Sequence, residues 1–515
     1  MKQTGILIIW MAFFVQVEAA VIAVPADQPT IQAAVNVAVG QDTVLVSPGT
    51  YVETVNFVGY DIVLGSLFLT SGDTSYVSST IIDADSSGCC VTFNSGESAA
   101  SRLCGFTLTN GFQQSDFGGG IKCINASPQL DHLRIHHCSA QFGGGMYSEG
   151  SSSQISDLLV ENNEAFYGSG GGFYLDESPV NIEDSIFRGN SGGHGGGIHC
   201  SESSATLTNV QLLDNAAGFG GGFSCWYSSH AVLTDVIIQG NSVQISGGGL
   251  NCRHSSAPTL TRVLVSNNDA SYGGGVNFVG AGCNAVLEYV TIVDNYASTS
   301  GGGIQVGDQA QPFFSHVTVS GNIADYWGDG MYNYNGHPFV ESSIFRGNQG
   351  EEIYFQDSGD PGTITLSCTD IEGGEEGIIT NDNATVFWFE GNFDLDPLFC
   401  SPENGEYTLA AGSPCLPGNH PEGVNCGLMG ALEEGCVSPV YPITDLAIEI
   451  VDFDQIVLSW SEVSGASSYH VYRSTDPYAD YPYWEFVEEL PSPAYQETVA
   501  PFSEHCFYYV TAVAE

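Results

Sequence analysis

The chain has 515 residues, of which 59 are acidic and 9 are basic, so its formal net charge is −50. A protein this negative repels a phosphate backbone, which excludes nucleic-acid binding. Hydrophobic residues make up 43% of the chain and charged residues only 13%, so a sizeable core can form and wholesale disorder is excluded. The length suits about two to four domains, unless the chain is repetitive.

The N-terminus has the features of an export signal. Lys2 is followed by an apolar stretch from Ile6 to Val15, and small residues flank Glu18 in Val17-Glu18-Ala19. These features predict a secretory signal peptide over residues 1–19. No later segment reaches about 18 consecutive apolar residues, so the sequence predicts no membrane span. We therefore expect a secreted or cell-surface protein.

Two markers recur along the chain with one period. A glycine triplet is followed by an apolar residue, with spacings of 25 to 28, and an asparagine recurs between the triplets every 25 to 27 residues. The triplets begin at Gly118, Gly143, Gly170, Gly195, Gly220, Gly247, Gly273 and Gly301. The asparagines are Asn163, Asn190, Asn215, Asn241, Asn268, Asn295, Asn322 and Asn348. Such a period identifies a repeat architecture.

Apolar residues keep the same frame as these markers. Before Asn163, for example, Val160, Leu158 and Ile155 stand three, five and eight positions away. The two-residue step is typical of a strand with one face inward, and the three-residue step requires a bend between strands. The sequence therefore predicts an all-β fold: a parallel β-helix over residues 20–367, with about 26 residues in each coil.

The recurring asparagines are predicted to form a structural ladder. Equivalent residues of stacked coils lie about 4.8 Å apart, so each side-chain amide can donate to one copy and accept from another. That pairing satisfies turn backbone groups that would otherwise be buried without partners. We expect this ladder to support the fold rather than to bind a ligand.

The repeat resembles a known family. Phe-Arg-Gly-Asn occurs twice, at Phe187 to Asn190 and at Phe345 to Asn348, and Thr30 to Val35 read as a short amphipathic capping helix. These motifs resemble the polymorphic outer membrane protein repeats and the wider group of right-handed, pectin-lyase-like parallel β-helices. The resemblance implies a right-handed helix and extracellular adhesion, with polysaccharide cleavage as the alternative. The chain departs from the first family because nothing after residue 437 resembles an outer-membrane barrel.

Residues 368–436 are predicted to close the helix. The last coil of a solenoid would otherwise expose an unpaired strand edge, which invites aggregation. Cys400, Cys415, Cys426 and Cys436 crowd into 37 residues here. Export favours disulfides over a structural zinc, so we expect two bridges among these four residues, in one of three connectivities.

By residues 440–515 the repeat has ended, and the sequence pattern becomes one of strands in which apolar and polar residues alternate. Gln455 to Trp460 read as one strand, with Trp460 as a core residue, and Phe507 to Val513 read as another that is rich in tyrosine. This region resembles a fibronectin type III domain, a fold that usually serves as a spacer or docking module. We therefore expect a small β-sandwich here and assign no site to it.

One row of polar residues lies six positions before the ladder asparagines. It places Asp157, Asp184 and Asp235 on successive or nearby coils, at the bend between two strands. Adjacent coils would bring carboxylates to roughly the 5 Å separation of a retaining glycosidase pair, and calcium is a further candidate ligand. Asp and Asn also commonly satisfy the backbone of tight turns. We favour this structural interpretation.

A second row precedes the glycine triplets and includes Phe142, Phe219, Tyr272 and Trp327. Exposed rings would form a sugar-stacking strip, whereas packed rings would only cover the turn, and we favour covering. Taken together, the sequence predicts a monomeric, non-catalytic extracellular protein that binds a glycan or a surface protein and needs no cofactor. A polysaccharide lyase or glycoside hydrolase is the alternative.

Overall fold

The computed structural model describes residues 19–436 and, beyond them, residues 443, 446–451, 455–461, 463, 466–474, 485–498 and 507–514. Apart from Ala19, the predicted signal peptide lies outside these residues. None of the helices in the described part of the chain is long and apolar enough to cross a bilayer.

The chain forms two compact units, residues 1–217 and 218–515. Each unit contains a stack of coils in which every strand pairs in parallel with its equivalent in the next coil. The register keeps the repeat frame, as in Leu130 opposite Ile155 and Ile155 opposite Ile182. These inward residues are buried and form the core. The all-β parallel β-helix predicted from the sequence is thereby confirmed.

The strands of a full coil contribute in chain order to four sheets, here called sheets 1 to 4. In the first unit, sheet 1 contains Val21–Val24, Thr43–Val46, Val63–Ser66, Arg102–Cys104, Gln129–Asp131, Gln154–Ser156, Asn181–Glu183 and Thr206–Thr208. Sheet 2 contains Gly49–Val52, Thr80–Asp83, Thr107–Thr109, Arg134–His136, Leu159–Glu161, Ile186–Arg188 and Gln211–Leu213. Sheet 3 contains Phe112–Phe117, Ser139–Phe142, Glu164–Ala165 and Ser191–His194. Sheet 4 contains Val55–Asn56, Val91–Phe93, Ile121–Ile124, Met146–Glu149, Phe173–Asp176 and Ile198–Ser201.

The second unit repeats this order, and the strand Ala216–Phe219 spans the boundary. Its sheet 1 contains Val232–Thr234, Thr259–Thr261, Val286–Glu288, Phe313–Ser315, Phe339–Glu341, Gly362–Ser367 and Ala384–Trp388. Sheet 2 contains Ile237–Gln239, Leu264–Ser266, Thr291–Val293, Thr318–Ser320, Ile344–Phe345 and Asp370–Ile371. Sheet 3 contains Ser242–Ser246, Asp269–Tyr272, Tyr296–Ser300 and Ile323–Ala324. Sheet 4 contains Phe223–Trp226, Leu250–Arg253, Val276–Val279, Ile304–Gly307, Met331–Tyr334, Ile353–Phe355 and Ile378–Ile379.

A short helix, Ile31–Val37, lies near the start of the first unit. Thr30 caps it, because its hydroxyl accepts a hydrogen bond from the Ala33 amide at 3.1 Å. The Glu53 carboxylate accepts the free amides of the first turn, at 2.9 Å from Ile31 and 2.8 Å from Gln32. These contacts satisfy donors that a helix leaves unpaired at its N-terminus. The other helices are Phe68–Ser71 and Ser75–Ser79, with 3-10 turns at Gly374–Gly377 and Pro402–Asn404.

The recurring asparagines form a buried, hydrogen-bonded column in each unit. In the first unit, Asn163 Nδ2 donates to Asn190 Oδ1 at 3.0 Å, and Asn190 Nδ2 donates to Asn215 Oδ1 at 3.0 Å. In the second unit the same bond, at 2.9 Å, joins Asn241, Asn268, Asn295, Asn322 and Asn348 in sequence. Each amide also pairs with a backbone carbonyl, so the column satisfies buried turn groups.

The glycine triplets are required where the chain enters sheet 4. Gly143 has φ +65°, the left-handed region that favours glycine. A Cβ on Gly145 would lie 2.7 Å from the carbonyl oxygen of Gly172 in the next coil. Both positions therefore exclude larger residues, one by backbone conformation and the other by the close approach of two coils.

The disulfides correct the pairing predicted from the sequence. Cys400 bonds Cys436, but Cys426 bonds Cys368, and Cys415 is a buried free thiol. Cys415 packs in a small core that includes Ile344, whereas the Cα of Cys368 lies 5.4 Å from that of Cys426. Closeness in the sequence therefore predicted a disulfide for Cys415 that the structure does not have, and overlooked Cys368.

Three small sheets follow the coils of the second unit. The first contains Phe399–Ser401, Glu406–Ala410 and Glu434–Cys436. The other two are antiparallel: Ala447–Val451, Gln455–Ser459 and Ala494–Thr498 form one, and Glu485–Leu490, Ala466–Ser474 and Phe507–Ala514 form the other. Trp460 packs in a buried cluster with Tyr469 and Val471.

Candidate functional site

In sheet 4 of the second unit, a row of polar side chains lies on the face of the sheet opposite the core, and all four of these residues are buried. Ser224, Asn251, Asn277 and Gln305 lie in register on four adjacent strands. Inward residues such as Leu250 and Cys252 alternate with them and fill the core. We call these four residues, together with Arg253, the amide face.

The amide face holds buried polar atoms that lack protein partners. Asn277 Nδ2 donates to Asn251 Oδ1 at 2.7 Å. Within the described residues, Asn251 Nδ2, Asn277 Oδ1, Ser224 Oγ and Arg253 Nε are buried without a hydrogen-bond partner. A buried polar group left unpaired costs about 1–3 kcal/mol, so such groups mark places where a hydroxyl-rich ligand gains from binding.

Exposed aromatic rings border the amide face. Tyr272 is 39% exposed and Trp327 is 42% exposed. The Trp327 ring lies 6.5 Å from Tyr332 and 6.4 Å from Tyr354, and those two tyrosine rings stack at 6.1 Å. Burial, with the nearby Tyr354 and Asp357, raises the pKa of Tyr332 to about 12, so its hydroxyl keeps its proton at neutral pH. Flat apolar surface beside hydrogen-bonding groups suits the two faces of a sugar ring.

The equivalent surface of the first unit is closed by its own rings. The Phe117 ring stacks on Tyr147 with centroids 4.5 Å apart, and the Phe142 ring lies 5.4 Å from Tyr174. Tyr147 and Tyr174 stack at 5.4 Å, and only 4% of Tyr147 is exposed. We call Phe117, Phe142, Tyr147 and Tyr174 the ring cluster.

The residues of the predicted aromatic strip therefore have different environments. Phe142 belongs to the ring cluster and covers its neighbours, and Phe219 lies under the Arg253 guanidinium at 5.0 Å. Tyr272 and Trp327 are exposed. Covering, the interpretation favoured from the sequence, describes the first unit, whereas two rings of the second unit stay open to solvent.

The three candidate catalytic aspartates lie in tight turns between sheets 1 and 2. Asp157, Asp184 and Asp235 have φ of 56°, 49° and 56°, the left-handed conformation that Asp and Asn tolerate. Asp184 accepts a hydrogen bond from Asn209 at 2.6 Å, and Asp235 pairs with Arg262 at 2.6 Å. Asp157 lies 3.8 Å from a histidine ring nitrogen. The turn conformation explains these residues without catalysis.

Calcium is the other ligand that the sequence suggests for this row, and it would require several oxygen ligands close together. Within the described ranges, no three His, Cys, Asp or Glu side chains are grouped to hold a metal ion. None of the three aspartates therefore belongs to a metal-binding group among the residues that the structure describes.

Sheet 4 of the first unit carries a pair of carboxylates that was not predicted from the sequence. Glu149 and Asp176 lie in register on adjacent strands, and Glu149 Oε2 accepts a hydrogen bond from the Tyr147 hydroxyl at 3.0 Å. Burial, then Glu149 and Glu177, raise the pKa of Asp176. Adjacent parallel strands are about 4.8 Å apart, near the spacing of a retaining carboxylate pair. Counting six positions after each triplet glycine would have located this pair.

The stacked coils and the outward polar row define a parallel β-helix repeat protein. The Beta_helix family, described as right handed beta helix region, matches residues 65–243 and 221–394, together more than half of the chain. The chain belongs to this family, and its helix is accordingly right-handed.

Among solved structures, the A-module of the mannuronan C-5 epimerase AlgE6 of Azotobacter vinelandii is similar at 15% sequence identity, with a TM-score of 0.34. The match covers 71% of this chain and 95% of that chain. No curated protein matches the chain in sequence. Similarity at this level assigns no function.

Proposed function

We propose that the protein is exported and binds a glycan at the amide face without cleaving it. The observation that carries this proposal is the cluster of buried, unpartnered polar atoms beside exposed rings: Asn251 and Asn277 on the floor, Tyr272 and Trp327 on the rim. Amides pair with vicinal hydroxyls, and rings cover the apolar face of a sugar.

The charge of the chain favours a neutral glycan. With a net charge of −50, the protein repels polyanions such as polyuronates and sulfated glycans. The cation of the amide face, Arg253, is drawn toward the Phe219 ring rather than held free for a carboxylate. We expect binding to neutral oligosaccharides that is only weakly sensitive to salt.

A glycan array, followed by calorimetric titration with the strongest neutral oligosaccharide, tests the proposal. Trp327→Ala is expected to weaken binding about tenfold, equivalent to ~1.4 kcal/mol. Tyr167→Ala is the matched control, because Tyr167 is an isolated, 93% exposed ring in the first unit. Equal affinity of both variants and the parent protein would reject the amide face as the binding site.

Cleavage of the glycan is the second candidate function, and the Glu149–Asp176 pair favours it. A carboxyl with a raised pKa beside a second carboxylate suits general acid chemistry. A reducing-sugar assay on the same oligosaccharides separates the two functions. Activity that is lost in Asp176→Asn but kept in Asp157→Asn would establish a hydrolase; no product would leave binding alone.

The proposed location is extracellular or at the cell surface. The two disulfides suit an oxidising compartment, and the signal-like segment over residues 1–19 agrees with export. The sheets after residue 446 would then serve as the fibronectin type III-like spacer or docking module expected from the sequence. We propose that the protein is monomeric.

A further inference from the structure

A pocket of about 270 Å³ lies on the outward surface of sheet 1 in the first unit. Four adjacent strands form it, and they bring two rows into register. One row is Arg102, Gln129, Gln154 and Asn181, and the row two residues later includes Asp131, Ser156 and Glu183. The volume is close to the lower end of ligand pockets, which suits one small ring rather than a chain.

An ion pair builds one wall of this pocket. Arg102 binds Asp131 through two nitrogens, Nε at 2.6 Å and Nη2 at 2.9 Å. His132 Nδ1 lies 3.0 Å from the same carboxylate, and its ring packs 4.2 Å from Phe68. Burial opposes ionisation of Asp131, but hydrogen bonds from Arg102, Cys104 and His132 outweigh it and lower its pKa. The wall is therefore fixed, and its two charges cancel.

The amides across the pocket are positioned for hydroxyl groups. Asn181 Nδ2 donates to Gln154 Oε1 at 3.0 Å, and Gln129 Nε2 donates to the Ala99 carbonyl at 2.7 Å. These bonds hold the side chains while leaving Gln154 Nε2, Asn181 Oδ1 and Gln129 Oε1 available to a ligand. Each amide keeps one unused donor or acceptor group, and vicinal hydroxyls pair with such groups.

Glu183 gives the pocket its net charge. Its carboxylate lines the pocket and has no side-chain partner in the described part of the chain. Since Arg102 and Asp131 neutralise each other, the pocket carries one uncompensated negative charge, in a protein that is itself strongly acidic. A carboxylate in this setting attracts a cation and rejects an anion.

We propose that this pocket binds a single sugar unit that carries a protonated amine. The amine pairs with Glu183, and the neighbouring hydroxyls pair with the amides of Gln129, Gln154 and Asn181. The site is distinct from the amide face, because it lies on another sheet and in the other unit. It would let the protein hold amino sugars at one place and neutral glycan at another.

Calorimetric or ligand-observed NMR titration of the full chain with glucosamine, N-acetylglucosamine and glucose tests this proposal. Glucosamine is expected to bind about tenfold more tightly than either neutral sugar, as a charge-assisted hydrogen bond predicts. Glu183→Gln should remove that preference, and Glu202→Gln, an exposed glutamate outside the pocket, should keep it.

Trp327→Ala separates this site from the proposed glycan site, since Trp327 borders the amide face and does not line this pocket, so the variant should leave glucosamine binding unchanged. Equal binding of the three sugars, or loss of the preference in the Glu202 variant as well, would overturn the proposal.

Discussion

The outward surfaces of sheet 4 in the two units occupy the same place in the repeat but are built differently. In the first unit, Tyr147 and Tyr174 stand where the second unit has Asn251 and Asn277. The large rings fill the space above the sheet and are covered by Phe117 and Phe142. Asn251 and Asn277 are smaller and are also buried, and the exposed rings near them are Tyr272 and Trp327.

This difference shows that the groups which hold the coils together are separate from the outward row of sheet 4. The buried asparagine column is the same in both units, so the coil is held together independently of its outward row. Outward positions can therefore change from coil to coil at little cost to the fold. Aromatic residues there add to stability, whereas Asn251 and Asn277 bring buried polar atoms that lack protein partners within the described residues.

The largest expected effect comes from the shared column. Asn190→Leu and Asn268→Leu each leave buried backbone and side-chain partners unpaired, so each should lower local stability by about 4 kcal/mol. Native-state hydrogen exchange of the mutated coils measures this loss. The loss should be equal in the two units, and Asn94→Leu, at an exposed asparagine, should cause little change.

A loss below about 1 kcal/mol in either column variant would contradict the supporting role of the column. An effect in only one unit would show that the column stabilises the coils of one unit and not those of the other.

The end of the column in the second unit should make that unit sensitive to pH. The Glu352 carboxylate accepts hydrogen bonds from Asn348, and burial raises the pKa of Glu352 to about 7, with Glu372 adding to the rise and Arg346 opposing it. The neutral form is favoured in the folded state, so its stabilisation is present below the ordinary pKa of about 4.3 and is lost as pH rises through 7. The change should be about 3 kcal/mol.

Hydrogen exchange around residues 344–355 between pH 5 and pH 8 measures this effect, after correction for intrinsic rates. Glu352→Gln should remove much of the dependence, and buried Asp370, with a pKa of about 7, should account for the remainder. The first-unit column, which has no such carboxyl at Asn163 or Asn190, is the internal control. Increasing stability toward pH 8 would refute this explanation.

The two aromatic surfaces should respond in opposite ways to alanine. Phe142→Ala removes a ring packed on Tyr174, so it should lower the stability of the first unit by about 2 kcal/mol and leave glycan affinity unchanged. Tyr272→Ala removes an exposed ring, so it should weaken glycan binding severalfold with little change in stability. Thermal unfolding and calorimetric titration of both variants provide the comparison. If Phe142→Ala instead weakened glycan binding and Tyr272→Ala instead lowered stability, the glycan would bind at the ring cluster of the first unit.

The smallest effect is expected in the turn row. Asp235 and Arg262 form an exposed ion pair, and solvent screens such pairs. Asp235→Asn keeps a residue that tolerates the left-handed conformation, so thermal midpoint and glycan affinity should both stay unchanged. A substantial loss of affinity would give this row a function beyond the turn.

The features that the sequence predicted correctly are those that depend on the spacing of the repeats and on the chemistry of single side chains. The coil length and the column at Asn163 to Asn348 followed from spacing, because stacking repeats every inward contact. The pairing of Cys368 with Cys426 did not follow, since their proximity depends on how the last coil turns. The amide face was also missed: whether an outward ring is covered depends on its neighbours in three dimensions.

Hydrogen exchange of the full chain, with and without a saturating neutral oligosaccharide, would locate the glycan site. If the glycan binds at the amide face, new protection should appear in Leu250–Arg253, Val276–Val279 and Ile304–Gly307, and none in Met146–Glu149 or Phe173–Asp176. Protection confined to the first-unit strands, or absent from both sets, would contradict binding at the amide face.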